Sequence, residues 1–508
     1  MPGAARLRFV AAALLFAGLA APAAAAPRDH RLADAAEQRN WTTFDRLLKS
    51  GGDVRAPQPD GATALHWATY WDRPAAVDAL IGAGVDVNAA NDNGVVPLAL
   101  ASENKNDALV ERLLAAGANP NAATVTGETV LMTAARGGSV AAVKALLSHG
   151  ANPNTAEPVH QQTALMWAIS ERHPAVVQLL LQHGADVHAR TRVRHRTVQL
   201  NTRYSDQKSV RGVTETDLGG FTPLLFAARV GDVESAQHLL AAGADANETT
   251  PNRLSALVVA AHSGSGPLAM LLIDRGADVN ADGGGYTALH AAILRGDAAL
   301  VKALVAHGAD VRAPLRNGTP SRYYSKDFAF NEDLVGATPI WLAARFGEPD
   351  MIRTLAAAGA DVNGAMADGT TPLMTAILPT RGLGTFRAGD RRERYQGPND
   401  VAIKADGEDE IVTIEVAQCL LDLGGRINET NQAGDTALHV AAGLAANRVV
   451  QFLVEHGADL HAKNKSGQTP LGLATAAPSR DARLQYFFVG ADERKSTAEL
   501  LRKLGATE

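Results

Sequence analysis

The sequence predicts an all-α fold, a solenoid of about twelve stacked helix pairs joined by β-turn fingers. A glycine-led motif recurs along the chain, in several places at steps of 33 residues, and a threonine-led motif precedes most copies. The 508 residues are too many for one ordinary hydrophobic core. Aromatic residues make up only 5% of the chain, so Ala, Leu and Val must fill most of the core. These observations favour a repeat architecture over a single globule.

The glycine-led motif is predicted to end a helix. Its copies are GVDVNA, GANPNA, GANPNT, GADVHA, GADANE, GADVNA, GADVRA, GADVNG and GADLHA, which begin at Gly84, Gly117, Gly150, Gly184, Gly243, Gly276, Gly308, Gly359 and Gly457. Each follows a segment with apolar residues at helical spacing, and glycine supplies the left-handed residue that stops a helix. In the segment VAAVKALLSHG, we expect Val140, Val143, Leu146 and Leu147 to share one face.

The threonine-led motif is predicted to begin the first helix of each pair. Its copies are TALHWAT at 63–69, TVLMTAA at 129–135, TALMWAI at 163–169, TPLLFAA at 222–228, TALHAAI at 287–293, TPLMTAI at 371–377 and TALHVAA at 436–442. Threonine can cap a helix, and the small alanines let two helices pack closely. The two motifs together resemble the ankyrin repeat, and the resemblance covers nearly the whole chain from about Asp29. It implies protein binding through the finger tips and the ends of the first helices, on the concave face.

The first 25 residues are expected to be a signal peptide. Arg6 and Arg8 precede the apolar run FVAAALLFAGLAA and the small-residue stretch PAAAAP. The run is short for a membrane span, so we expect cleavage, export to the periplasm or beyond, and no membrane insertion afterwards. A retained N-terminal anchor is the alternative. In this layout the chain is similar to exported bacterial members of the ankyrin repeat family. Without Arg6 and Arg8, the formal net charge falls from −6 to −8, which argues against bulk nucleic-acid binding.

The repeat pattern and its interruptions divide the chain. The expected segments are an N-terminal capping repeat at 29–59, repeats at 60–191, a basic finger insertion at 192–217, repeats at 218–316, an aromatic finger insertion at 317–334, repeats at 335–464 with an inter-helix insertion at 379–410, and a C-terminal capping repeat at 465–508. Caps are needed because an unpaired solenoid end would expose apolar surface. The inter-helix insertion is expected to be a loop.

The basic finger insertion is the most distinctive departure from the repeat. Arg192, Arg194 and Arg196 alternate with Val193, His195 and Thr197, and this period of two predicts a strand with arginines on one face. Between residues 190 and 211 there are seven basic residues and one acidic residue. We interpret the segment as a finger that docks onto an acidic protein surface. Binding of a polyanion, nucleic acid or anionic polysaccharide, is the alternative.

The sequence contains no motif that indicates an enzyme. Nucleophile-elbow, Walker A, H-E-x-x-H, paired C-x-x-C and calcium-loop patterns are all absent. His66, His290 and His439 occupy the motif position, and His149, His183, His307 and His456 precede the terminating glycines, so we interpret them as structural. Cys419 is expected to be buried in a helix. No catalytic residue, metal or cofactor is predicted, although a hydrolase with a site formed by the insertions remains an alternative.

Function is therefore predicted to be binding, by a non-enzymatic scaffold that is expected to be a monomer. Aromatic and arginine side chains at finger and helix-end positions are the usual anchors of protein interfaces. The candidate residues are Tyr70, Trp71, Arg136, Arg192, Arg194, Arg196, Tyr204, Phe221, Arg229, Tyr286, Arg295, Tyr323, Tyr324, Arg345 and Phe346. Trp67, Trp167 and Phe226 follow the motif histidine position and are expected to serve packing.

Overall fold

The structure is a computed structural model that describes residues 29–199, 213–318, 330, 334–378, 407–476 and 490–507. Within these residues it contains twelve helix pairs and one two-stranded antiparallel sheet. The predicted all-α repeat fold is therefore confirmed. The expected signal peptide at 1–25 and most of the expected insertion at 379–410 lie outside the described residues.

Each pair consists of a first helix and a second helix. The first helices are α1 Arg31–Glu37, α3 Ala64–Tyr70, α5 Pro97–Glu103, α7 Val130–Gly137, α9 Ala164–Ser170, α11 Pro223–Val230, α13 Ala256–Ser263, α15 Ala288–Arg295, α17 Pro339–Arg345, α19 Pro372–Ile377, α21 Ala437–Gly443 and α23 Pro470–Thr475. The second helices are α2 Trp41–Lys49, α4 Pro74–Gly82, α6 Asp107–Ala115, α8 Val140–Ser148, α10 Pro174–Gln182, α12 Val233–Ala241, α14 Gly266–Asp274, α16 Ala298–Ala306, α18 Pro349–Ala357, α20 Gly407–Asp422, α22 Asn447–Glu455 and α24 Ala491–Lys503.

The chain forms two compact units, residues up to 130 with 148–150, and residues 131–147 with those from 151 onward. In the first unit, α1, α3 and α5 lie side by side, and each contacts its own second helix. In the second unit, the first helices from α9 to α23 contact one another in chain order, and the second helices from α10 to α24 do the same. Each pair therefore buries its apolar side chains mainly against its neighbours along the chain.

Threonine and histidine fix the start of three first helices by reciprocal hydrogen bonds. In α15, Nδ1 of His290 lies 3.2 Å from the backbone N of Thr287 and 2.8 Å from its Oγ1. The same capping box begins α3 and α21. Nε2 of His66 lies 2.9 Å from the carbonyl oxygen of Val95 in the next finger. Burial lowers the pKa of His66, and lowers the pKa of His290 to about 4. The structural interpretation of the motif histidines is therefore confirmed.

The second helices end as the sequence predicts. Nδ1 of His183, His307 and His456 lies 2.7–2.9 Å from the carbonyl oxygen four residues earlier. The glycine that follows each of these histidines has a φ between 81° and 91°, a conformation that favours glycine.

The apolar face predicted for α8 is only partly buried. Val143 and Leu146 are fully buried and Leu147 nearly so, but Val140 is 43% exposed. Val140 is the first residue of the helix, so it lies at the end of the contact between pairs. Cys419, by contrast, is buried as predicted, and burial raises the pKa of its thiol.

A row of asparagines, which we call the asparagine ladder, joins consecutive fingers. Its members are Asn88, Asn121, Asn154, Asn247, Asn280, Asn363 and Asn428, and each donates its side-chain amide to the carbonyl of the glycine that ends the next second helix, at 2.9–3.3 Å. In six of them, Oδ1 also accepts a backbone N–H two residues beyond that glycine, at 2.7–2.9 Å. In two other fingers, arginine stands at this position. Arg55 and Arg312 donate from their guanidinium groups to the carbonyls of Gly84 and Gly359, the glycines that end the next second helices.

One second helix extends into a predicted insertion. α20 begins at Gly407 and has 16 residues, whereas α22 has nine. The expected loop at 379–410 is therefore helical over its last four residues. The acidic sequence 408–410 lies in the first turn of α20, where the helix dipole favours negative charge.

The contribution of the asparagine ladder to the stability of the fold can be tested by substitution. Asn88→Ala removes a donor to Gly117 and an acceptor for the N–H of Asn119. We expect a loss of about 0.5–1.5 kcal/mol in unfolding free energy, because two hydrogen bonds to exposed peptide groups are lost and water can replace them in part. Urea unfolding followed by circular dichroism measures it. Asn93→Ala, an exposed position in the same finger, is the control and is expected to change stability by less than about 0.5 kcal/mol. Equal effects from both variants would contradict a structural role for the ladder.

Candidate protein-binding surface

The basic finger insertion forms a β-hairpin in the second unit. Strand β1 spans Arg194–Gln199 and pairs in antiparallel register with β2, Val213–Leu218. The predicted strand is confirmed from Arg194 onward, and Arg192 lies two residues before it. The register places Arg194 opposite Leu218 and Arg196 opposite Thr216. The arginines of β1 therefore share a face with residues that carry no charge.

The base of the hairpin is fixed between the two neighbouring fingers. On the β1 side, the backbone N–H of Arg192 donates to the carbonyl of His160 at 2.7 Å, and the guanidinium of Arg194 donates to that of Val159 at 2.9 Å. On the β2 side, Nδ2 of Asn252 donates to the carbonyl of Asp217 at 2.6 Å, and its Oδ1 accepts the Asp217 N–H at 3.3 Å. These hydrogen bonds fix the position of the hairpin base against the two neighbouring fingers.

Two glycines close the hairpin where the helical repeat resumes. Gly219 and Gly220 have φ values of 94° and 65°. A Cβ atom on Gly219 would lie 2.0 Å from the carbonyl oxygen of Arg192, and one on Gly220 would lie 2.4 Å from Cγ of Pro251. Only glycine fits this close approach.

The exposed surface at the hairpin base is mixed rather than purely basic. Arg192 and Arg196 are exposed, whereas Arg194 is half-buried and bonded to a carbonyl. Three apolar side chains are also exposed here, Val159 at 46%, Val193 at 41% and Leu218 at 45%. Exposed apolar side chains beside arginines are typical of interfaces rather than of polyanion grooves.

The return strand reduces the charge expected from the outgoing strand. The register places His195 opposite Asp217 and Thr197 opposite Glu215, and the His195 ring contacts the Asp217 carboxylate. Residues 190–218 contain seven basic residues and three acidic ones. The finger is thus less basic than the arginine-rich outgoing segment suggests.

A buried carboxylate supports the repeat beneath the hairpin. Glu248 is almost fully buried, accepts a hydrogen bond from the Thr222 hydroxyl, and has its Oε1 3.7 Å from Nδ1 of His188. Burial raises the pKa of Glu248, although the bond from Thr222 and the nearby Arg190 and His188 oppose the shift. Arg190 itself donates to the carbonyls of Gly220 and Thr249. The residues that flank the hairpin therefore hold it to the next repeat.

Two predicted helix-end arginines stack on aromatic rings. The guanidinium carbon of Arg136 lies 4.9 Å from the Trp167 ring centroid. That of Arg229 lies 5.1 Å from Phe221 and 4.7 Å from Phe226. Phe221 follows the hairpin, and its ring is only half-buried. Arg229 therefore connects the base of the hairpin with the end of α11.

Two other predicted anchors are internal, so their assignment to an exposed surface was wrong. Tyr286 is 3% exposed, because Phe330 packs on its ring with centroids 5.3 Å apart. Arg345 is 4% exposed, donates to the carbonyl of Leu378 at 2.5 Å, and has its pKa lowered to about 10 by burial. Nothing in the local sequence around Tyr286 indicates that a residue 44 positions later covers it.

Of the remaining predicted anchors, one is hydrogen-bonded within the chain, one is half-buried and three lie outside the described residues. Nε of Arg295 donates to the carbonyl of His262 at 2.6 Å, and Phe346 is half-buried. Tyr204, Tyr323 and Tyr324 lie outside the described residues.

In the first unit, aromatic rings and arginines of the first two pairs interlock. The guanidinium carbon of Arg39 lies 3.5 Å from the Trp71 ring centroid, and that of Arg73 lies 4.9 Å from the Trp41 ring. The Trp71 indole also donates to the carbonyl of Glu37 at 3.2 Å, and Tyr70 packs edge-on against Trp71. Tyr70 and Trp71 were predicted as partner anchors, but Trp71 already holds the capping pair to its neighbour.

The described residues show neither a metal-binding cluster nor a membrane-spanning helix. Those residues contain no cluster of three or more His, Cys, Asp or Glu side chains suited to a metal ion. Among them, no helix combines the length and the apolar character that a membrane span requires.

The chain belongs to the ankyrin repeat family. Residues 32–124, 98–191 and 224–314 match a family model for ankyrin repeats, and residues 165–240, 335–365 and 420–474 match three further ankyrin repeat models. These matches cover well over half of the chain, as the repeated motifs predict.

Similar proteins match only parts of this chain. An ankyrin repeat-containing protein of Treponema pallidum (strain Nichols) is 38% identical over 114 residues, which are 22% of this chain and 38% of that protein. Neurogenic locus notch homolog protein 1 of Xenopus laevis is 31% identical over 121 residues, 24% of this chain and 4% of that protein. The human ASB11 ankyrin repeat domain structure has 24% identity and a TM-score of 0.40, and covers 57% of this chain and 100% of that domain.

The interlocked arginines of the first unit are expected to stabilise the capping pair. Arg39→Ala and Arg73→Ala should each lower the unfolding free energy by about 0.5–1 kcal/mol, the usual worth of an exposed cation–π contact. Tryptophan fluorescence during urea unfolding reports on this region directly. Lys105→Ala, at the loop position of the third pair that corresponds to Arg39, is the control. A loss as large in the control would show that charge rather than stacking matters.

Replacing Glu248 by glutamine is expected to stabilise the protein at pH 7–8. The folded state binds the Glu248 proton more tightly than the unfolded state does, because its pKa is raised. Stability therefore falls as pH rises through the window between the two pKa values, and the loss persists above it. Glu248→Gln should raise the melting temperature at pH 7–8, and the gain should vanish below a pH of about 4. Glu234 is exposed on α12, so the control Glu234→Gln should not change the melting temperature in this pH-dependent way. An increase in melting temperature for Glu248→Gln that grew towards acidic pH would contradict this account.

Proposed function

We propose that this protein is a non-enzymatic scaffold that binds a protein partner through its hairpin and the neighbouring helix ends of the second unit. The observation that carries the proposal is the hairpin base, which four hydrogen bonds to the adjacent fingers hold in place while Arg192 and Arg196 stay exposed. A surface that is fixed before binding loses less entropy on association. Membership of the ankyrin repeat family supports a role in protein binding.

The chemistry of the surface favours a protein with an acidic docking site. Arg192 and Arg196 supply positive charge, and Val159, Val193 and Leu218 supply exposed apolar area around it. Such a mixture gains energy from burying apolar surface and gains specificity from charge.

Recognition of a polyanion is the second candidate, and the same arginines are its support. The acidic residues of the return strand and the formal net charge of −6 weaken it, because a polyanion needs a continuing basic stripe. Its distinguishing property is a steep loss of affinity with salt.

Export is part of the proposal. The leader pattern at residues 1–25, with Arg6 and Arg8 before an apolar run, supports transport to the periplasm or secretion. On this proposal the mature chain acts as a monomer outside the cytoplasm.

The test is an affinity capture from periplasmic extract with the full mature chain and two charge-reversal variants. Arg192→Glu with Arg196→Glu changes the hairpin, and Lys144→Glu with Lys302→Glu changes exposed positions on second helices by the same charge. We expect one protein to be retained by the native chain and by the lysine variant, and to bind the hairpin variant about tenfold more weakly or worse.

Three other outcomes oppose the proposal. Equal weakening by both variants would indicate nonspecific electrostatics. Capture of nucleic acid or polysaccharide that is released by 0.5 M salt would favour the polyanion candidate. Equal retention by all three chains would place recognition away from the hairpin.

A further inference from the structure

A depression of about 450 Å³ lies on the loops that join first and second helices in the fifth, sixth and seventh pairs, within the second unit. Its charged lining residues are Arg172 and Arg229, and its hydroxyl lining residues are Ser170, Ser263 and Ser265. The remaining lining consists of two glycines, a valine and a proline. The donor groups therefore converge from three consecutive repeats.

Both arginines are held in position by contacts within the chain. Arg172 donates one guanidinium N–H to the carbonyl of Val230, and a guanidinium carries five donors in all. Arg229 stacks against Phe221 and Phe226. Planar donors that are already oriented match the geometry of an oxyanion better than mobile lysines do.

The serines add hydroxyl donors that the described structure does not use. Thr222, Ser255 and Asp232 each cap a helix with their side chains, whereas Ser265 makes no side-chain cap to α14. Ser170 and Ser263 are the last residues of α9 and α13. Hydroxyl groups at the rim of a concave site are suited to donate to a bound oxygen.

No acidic side chain lines the depression. Two nearby acids are committed elsewhere, since Asp232 binds the backbone N–H and hydroxyl of Ser235, and Asp297 caps α16 at the N–H of Leu300. Glu171, between Ser170 and Arg172, is exposed and does not belong to the lining. A lining with donors and positive charge but without carboxylates disfavours cations. It suits a ligand that is negatively charged and only accepts hydrogen bonds.

We propose that this depression binds a carboxylate side chain of an acidic, extended segment of the protein partner. The inference rests on the proposed function, because the partner supplies the carboxylate. α11 has eight residues, so it separates the hairpin base from the depression by about 12 Å. An extended segment of about four residues spans that distance. One acidic segment therefore reaches both the arginines of the hairpin and the depression, and Arg229 lies between them.

The test measures binding of a capped pentaglutamate peptide by fluorescence anisotropy at pH 7, with the full mature chain. Arg172 has a φ of 59°, and the equivalent loop positions in the next two pairs are Gly231 and Gly264. Arg172→Gly therefore removes the charge and relieves backbone strain. Lys105→Gly is the matched control, because Lys105 occupies the same loop position with a φ of 56° in the first unit.

We expect Arg172→Gly to weaken peptide binding about tenfold and Lys105→Gly to change it less than about twofold. Ser263→Ala with Ser265→Ala, which keeps every charge, should weaken binding about threefold or more. Equal weakening by the arginine and lysine variants, or no binding to the native chain, would overturn the proposal. Inorganic sulfate that binds as tightly as the peptide and displaces it would assign the depression to a free anion instead.

The capture experiment separates this inference from the proposed function. If the partner is lost with the hairpin variant but retained by Arg172→Gly with unchanged affinity, the depression is not part of the interface while the scaffold proposal stands. If no partner is captured but the peptide result is as expected, the scaffold proposal fails while the depression remains a carboxylate site.

Discussion

The fold depends on contact between consecutive helix pairs, because a single pair cannot cover its own apolar face. The first helices carry alanines that bring neighbouring backbones close, and the second helices carry leucines such as Leu239, Leu272 and Leu304, which are fully buried. Apolar contact is not directional, so it does not by itself fix how one pair is rotated on the next. The asparagine ladder supplies the missing direction, since six of its seven asparagines join two peptide groups of the following repeat, as Asn280 does.

At the two steps that carry finger insertions, the ladder position does not hold asparagine. At the step into the hairpin, that position is occupied by His188, and at the step into the aromatic insertion by Arg312. Arg312 still reaches the carbonyl of the next terminating glycine, whereas His188 lies beside Glu248. Fingers that are lengthened need other attachments, and here Arg190, Asn252 and the carbonyls of 159–160 provide them. A buried carboxylate with a raised pKa accompanies this change.

Local sequence predicted those features that depend on a few neighbouring residues. The helix pairs, the threonine caps and the strand that begins at Arg194 all follow from spacing within about ten residues. The failures concern contacts made across long stretches of sequence. Tyr286 was assigned to the surface because its finger position is usually exposed, but Phe330 covers it. The acids of β2 were recognisable in the sequence, yet only the strand register shows which residues they oppose.

The hairpin and the depression together show how a repeat protein acquires a specific surface. A regular repeat offers the same groups at every step, so recognition must come from positions where the groups differ. Between the fifth and seventh pairs, Ser265 stands where the two neighbouring pairs have a helix-capping aspartate, Arg172 takes a loop position that the next two pairs fill with glycine, and a hairpin extends one finger. These changes lie in neighbouring repeats, and stacking places their side chains next to one another. Phe221 and Arg229 then join the two features, because one follows the hairpin and the other lines the depression. Irregular groups on the loops and fingers of three adjacent repeats leave the packing of the helices intact while they bring unusual chemistry together in one place.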